Sequence, residues 1–203
     1  SDKTFTFPNR TGTIALEESG PFIKTLQALG SSVLYITPNG DTPSTSQLML
    51  DGVASYNAIY VDKVSTITGI KFLQVIQGDY TADNNNYVGL YSYSGGTMTQ
   101  VAISANNGDL WKSAANTTVT VPFATPYAAQ PGLYFIALLY NSSAEITGPT
   151  VGASTAASPA FDVFDFTNSA KLSSTNSGEA TLPATQAMSG NSMSSARRWL
   201  ALY

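Results

Sequence analysis

Tyr87-Val88-Gly89-Leu90-Tyr91-Ser92-Tyr93, then Ser94-Gly95-Gly96, then Thr97-Met98-Thr99-Gln100-Val101-Ala102-Ile103-Ser104: two strand-length runs joined by a tight glycine turn. That pattern predicts a β-hairpin, because glycine reaches the positive φ values a short strand-to-strand turn needs. Working outward, Val53 to Asp62 and Ser65 to Gln77 read as longer strands, with Gly69 placed for a bulge. Thr117 to Phe123, Leu133 to Tyr140, Phe161 to Phe166 and Trp199 to Tyr203 complete the set, with turn residues between them. Roughly eight strands and no long helix predict an all-β protein, a jelly-roll-like β-sandwich. No repeat of solenoid or propeller period is present.

Upstream the texture differs. Thr4-Phe5-Thr6-Phe7 alternates polar and apolar, and Thr13-Ile14-Ala15-Leu16 resumes an extended run after Pro8-Asn9 and Thr11-Gly12. Glu17-Glu18-Ser19-Gly20-Pro21 then reads as a helix start, with acids near the positive end of the dipole. Phe22, Ile23, Leu26 and Leu29 form one apolar stripe before Gly30 stops the helix. So short a helix is marginal alone and must pack on something. Its stripe can lie on its own domain, the commoner use, or meet two other copies on a threefold axis. Ser32 to Thr37 reads as a strand, and Pro38-Asn39-Gly40-Asp41-Thr42-Pro43 as a boundary. The organisation expected is an appendage over 1–43 and a sandwich over 44–203. Gly148 to Ser158 and Leu172 to Ser195 read as loose, rich in Ser, Thr, Ala, Gly and Asn. In an oligomer such segments can drape over a neighbour, and the apolar Trp199–Tyr203 predicts that the chain returns to be anchored.

Composition narrows the chemistry. The 203 residues are 43% hydrophobic and 11% charged, with 0 His and 0 Cys. A Ser-His-Asp triad, a Cys nucleophile and an imidazole or thiolate metal site are therefore excluded. Any hydrolase would have to work with carboxylates alone, and the chain is not expected to be an enzyme or to carry a cofactor. Nine Lys+Arg against 13 Asp+Glu give a net charge of -4. The basic residues are scattered, so nucleic acid is not an expected partner. Charged residues average about 25% in soluble domains, so this surface must be built mainly from neutral Ser, Thr, Asn and Gly. Tyr, Phe and β-branched residues are too many for a disordered chain. No apolar run reaches the ~18 residues of a membrane span, and the first residues do not read as a signal peptide.

Three polar places invite a site. Asp79-Tyr80-Thr81-Ala82-Asp83-Asn84-Asn85-Asn86 concentrates oxygen ligands, but lacks the glycine and distant glutamate of a calcium loop. The favoured reading is a turn held by Asx hydrogen bonds. The sharper alternative is a sugar-binding loop, with Tyr80 and Tyr87 as stacking faces and Asp83, Asn84, Asn85 and Asn86 reading hydroxyls. Trp111, in Asn106-Asn107-Gly108-Asp109-Leu110-Trp111-Lys112, is either a stacking platform or, the favoured reading, a seal on the sandwich edge. Asp162 and Asp165 are three apart in a strand and so face opposite ways, which defeats them as a catalytic pair. No metal site is assigned.

Phe7-Pro8-Asn9-Arg10 and Gly12-Thr13-Ile14-Ala15-Leu16 resemble a segment of phage tail and head fibres just ahead of the receptor-binding tip. From Asn57 onward the chain resembles the β-sandwich domains at the ends of such fibres. Ile67–Gln74, Gly78–Ser92, Asp109–Lys112, Pro131–Phe135 and Arg197–Tyr203 carry that likeness, through their order rather than any one motif. The resemblance implies a homotrimeric virion protein, extracellular, whose tip meets a host cell-surface glycan or protein and whose N-terminus meets other virion proteins. It supplies no ligand or catalytic residues. It favours a trimerising shaft and neck built on Phe5, Phe7, Ile14, Leu16, Phe22, Ile23, Leu26 and Leu29. The expected function is adhesion by a fibre tip. The alternatives are a purely structural capsid or fibre component and a polysaccharide-trimming enzyme.

Overall fold

The computed structural model describes residues 21–37, 45–83, 85–155, 172–194 and 196–203, and for Pro21, Phe22 and Thr155 it describes the backbone alone. Phe5, Phe7, Ile14 and Leu16, the expected strand Phe161–Phe166, and Asp162 and Asp165 lie outside the described residues.

Two antiparallel sheets pack face to face. The first carries, side by side, β2 (Thr45–Leu48), β11 (Thr150–Thr155), β4 (Ser65–Ile76) and β8 (Thr117–Ala129). The second carries β3 (Val53–Val61), β9 (Gly132–Tyr140), β6 (Tyr87–Ser94) and β7 (Thr97–Ile103). Followed along the chain, these eight strands change sheet at every step but one, from β6 to β7. That winding is a jelly roll, the all-β sandwich expected. The exceptional step is the hairpin: Ser94 faces Thr97 across Gly95 and Gly96, whose φ values are 57° and 84°. Two successive positive φ values make a turn whose twist matches that of the flanking strands. Gly69 sits at a register shift between β4 and β8. A Cβ there would lie 2.3 Å from the Val121 carbonyl oxygen, so the bulge requires glycine.

Additional strands extend both sheets. β15 (Ala196–Arg198) pairs with β11, and β16 (Leu200–Leu202) pairs with β4. The C-terminal segment thus fills the slot where β11 and β4 diverge after Val151 and Gln74. On its far side β16 receives β1 (Tyr35–Ile36), and Thr37 continues the contact by donating to the Arg198 carbonyl at 2.9 Å. The chain does return to be anchored. β1 lies ahead of the boundary expected at residue 43 yet is hydrogen-bonded into the first sheet.

The second sheet continues from β3 through β12 (Ser173–Ser177) to β14 (Ser192–Met193), and β13 (Thr185–Ala187) borders β7. A two-stranded ribbon, β5 (Asp79–Ala82) with β10 (Ser142–Thr147), projects at one end. Among the described residues there is one α-helix, α1 (Pro21–Ala28). Gly30 (φ 87°) closes it, with Ser31 N–H donating to the Leu26 carbonyl and Gly30 N–H to that of Gln27.

Two readings of loose segments are corrected. Thr150–Thr155 is an inner strand of the first sheet, and 172–194 is ordered, carrying strands and packing against its own chain. The reason is a second apolar surface. Tyr134, Ile136, Leu138 and Tyr140 of β9 face the core between the sheets, whereas Phe135, Ala137 and Leu139 face the other way. Tyr56, Tyr91 and Met98 join that outer face, and Leu182 and Met188 from the covering segment complete it. The continuous apolar run of β9 is thereby buried on both sides.

Candidate binding surfaces at the two ends of the sandwich

The ribbon end holds most of the residues singled out from sequence. Here β5 and β10 meet residue 83 and the segments 85–86, 105–116 and 141. Tyr80 is 4% exposed, and its hydroxyl donates to the Gly108 carbonyl at 2.9 Å and accepts Trp111 N–H at 3.3 Å. Burial pushes its phenol up to about 12. Trp111 is fully buried, its indole N–H donating to the Leu139 carbonyl at 3.1 Å and its ring 5.0 Å from that of Phe72. Neither ring can serve as a stacking platform, so the sugar-stacking alternative is corrected at both, and Trp111 seals the core.

Asn86 is also buried. Its side-chain oxygen accepts Asn141 N–H at 2.8 Å, and its amide donates to the Asn141 carbonyl at 3.0 Å. One side chain thus satisfies both backbone groups of a buried residue, the work a neighbouring strand would otherwise do. Asn141 replies by donating to the Asn85 carbonyl at 2.8 Å. Asp83 is exposed and its carboxylate accepts Asn85 N–H at 3.0 Å, the Asx turn expected. Tyr87 is half-buried against the outer apolar face. Asn84 lies outside the described residues. Of the described candidates, Asp83 is exposed, Asn85 and Tyr87 are half-buried, and the buried Tyr80, Asn86 and Trp111 are structural.

Charge is divided unevenly. Asp51, Asp79, Asp83, Asp109, Glu145 and Glu179 gather at the ribbon end, where Lys112 is the one described cation. Lys112 is tied down: its ammonium lies 2.9 Å from the Asp109 carboxylate and 4.9 Å from the Tyr80 ring centroid. Among the described residues no group of three acids could hold a metal ion.

The opposite end is built by the turns β3–β4, β6–β7 and β8–β9. Tyr60 there is 64% exposed, the one exposed aromatic ring among the described residues. With Asp62, Lys63 and Pro131 it lines a shallow depression of about 780 Å³. The turn is pinned from below, since the Tyr35 hydroxyl lies 2.8 Å from that of Ser65 and donates to the Lys63 carbonyl at 3.2 Å. An exposed ring, a carboxylate, an ammonium and a proline face on a fixed turn can take a polyol: the ring covers C–H faces, the charges read hydroxyls. Sequence reasoning missed Tyr60 because it continues the buried alternation of Tyr56 and Ala58. The nearest sequence signal was the adjoining Asp62-Lys63 turn.

Of the helix stripe, Ile23 is buried within the single chain. Leu26 is half-buried and shares an apolar groove with Val33, Ile36, Trp199 and Ala201. Leu29 is 81% exposed. Within the single chain Ile23 and Leu26 thus pack on their own domain, and among the stripe residues whose side chains are described Leu29 faces outward.

No protein-family model and no curated protein matches this chain.

Proposed function

We propose that this chain is the terminal domain of a phage fibre, which works as a homotrimer and attaches the virion to a host surface glycan or protein. The observation that carries the reading is the Tyr60 depression, an exposed aromatic flanked by Asp62 and Lys63 on a rigid turn. The jelly-roll fold and the surface poor in charge support it, as do the resemblance of Phe7–Leu16 to a segment ahead of fibre tips and the ordered resemblance of stretches between Ile67 and Tyr203 to the tips themselves. Three copies would turn weak single contacts into avidity. No catalytic step belongs to this reading. A purely structural virion role is the second reading, favoured by the exposure of Leu48, Leu50 and Ile146, which suits a contact with a neighbouring protein.

The test is binding of the full chain to a bacterial surface-glycan array and to whole cells, with its mass measured by light scattering. A trimer whose binding weakens about tenfold in Tyr60→Ala, with unchanged melting, is the expected result. A trimer that binds neither glycans nor cells supports the structural reading. A monomer overturns the trimeric architecture.

A further inference from the structure

We propose that Asn107 is a self-modification site: the native fold promotes loss of its side-chain amide through a succinimide formed with the backbone nitrogen of Gly108. Asn107 is exposed and is followed by glycine, so no Cβ obstructs approach of that nitrogen. Asp109 N–H donates to the Asn107 side-chain oxygen at 3.0 Å. This bond polarises the carbonyl to be attacked and stabilises the oxyanion that forms. Gly108 commits its carbonyl twice, to the Tyr80 hydroxyl at 2.9 Å and the Asn86 amide at 3.5 Å, while its N–H meets no acceptor among the described residues. The loop is held in place on both sides, Asn107 N–H donating to the Asn86 carbonyl and Leu110 N–H to the Asn107 carbonyl. A nucleophile and electrophile held in one turn gain the advantage of an intramolecular reaction.

The step balances without any cofactor. Solvent base removes the Gly108 amide proton, the nitrogen bonds to the Asn107 Cγ, and the side-chain nitrogen leaves as ammonia after taking a proton. Water then opens the succinimide at either carbonyl, leaving aspartate or isoaspartate. Other described asparagines lack this combination. Asn86, Asn141 and Asn191 spend their side chains in buried hydrogen bonds and precede Tyr, Ser and Ser. The product adds a carboxylate to the ribbon end. The isoaspartyl form also lengthens the main chain beside the carbonyl that anchors Tyr80 and Asn86.

The experiment incubates the full native chain in mildly alkaline ¹⁸O-water, with peptide mapping of every asparagine, beside a urea-unfolded sample and the Gly108→Ala variant. Conversion at Asn107 about tenfold faster than at Asn86, Asn106, Asn116, Asn141 or Asn191, at least as fast as in the unfolded chain, is expected. Gly108→Ala should slow it about tenfold while circular dichroism stays unchanged. An Asn107 that survives in the native chain while the unfolded chain converts would overturn the proposal, as would equal rates at all asparagines.

Discussion

Asn86 belongs to a stretch whose favoured reading is a hydrogen-bonded turn and whose alternative is the reading of sugar hydroxyls; its side chain reads a backbone. Its amide is bonded on both sides to Asn141. Replacing it by alanine would leave a buried N–H and a buried carbonyl unpaired, at ~1–3 kcal/mol each. We expect Asn86→Ala to lower the unfolding free energy by about 2–6 kcal/mol in urea titration, with the largest loss of amide protection at Asn141, whose N–H loses its acceptor. The buried tyrosines set the alkaline limit. Burial raises the phenols of Tyr80 and Tyr91 from 10.0 to about 12, and raises Tyr56 and Tyr140 as well. Below pH ~10 folded and unfolded chains both keep these protons, so these groups leave stability independent of pH. Above it the unfolded chain releases them first, and each phenol then costs about 1.4 kcal/mol per pH unit until its folded value is reached. Ultraviolet titration should therefore show some of the 11 tyrosines resisting ionisation until unfolding. A native chain in which all of them titrate together near the free value would contradict this burial. Which polar residues were structural could not be read from their letters, because an asparagine looks the same facing solvent or facing an orphaned carbonyl.

Elements with strong local signals were legible. The Gly95-Gly96 hairpin, the Gly69 bulge and the long strands β3, β4 and β9 appear where composition and turn chemistry put them. Strands made of small polar residues were not. β12 is Ser173-Ser174-Thr175-Asn176-Ser177, yet it pairs along its whole length with β3. Such a strand is specified by the backbone groups its neighbour exposes, not by a hydrophobic period of its own. The covering segment works through two anchors in a polar stretch, Leu182 at 4% and Met188 at 0% exposure. Met188→Ala should destabilise the protein by about 2–4 kcal/mol, measured by thermal melting, despite lying in a sequence that reads as a loop. A loss below 0.5 kcal/mol, ordinary for an exposed site, would mean the segment does not cover that face.

At the scale of the molecule, the segment Leu200–Leu202 is a keystone of the first sheet. β16 lies between β4 and β1 with Leu200 at 1% and Leu202 at 0% exposure. Removing residues 200–203 would open a slot in the first sheet and strand the backbone groups of Ile70–Phe72. Size-exclusion chromatography of the truncated chain is expected to show aggregation, whereas a free tail could be removed without effect. The outer edge at β8 carries Pro122 and Pro126, which offer no N–H to another strand. By itself the sequence determined the class of the protein: periodicity, turn glycines and the absence of long helical patterns leave little but an antiparallel sandwich. It also determined which chemistries are excluded, since residues that are not in the chain cannot be supplied by folding. Only the tertiary structure decided which aromatic is open, which asparagine is spent on the backbone, and that the second sheet has two buried faces. Those properties depend on what lies opposite each residue, and in a jelly roll nearly every neighbour comes from a distant part of the chain.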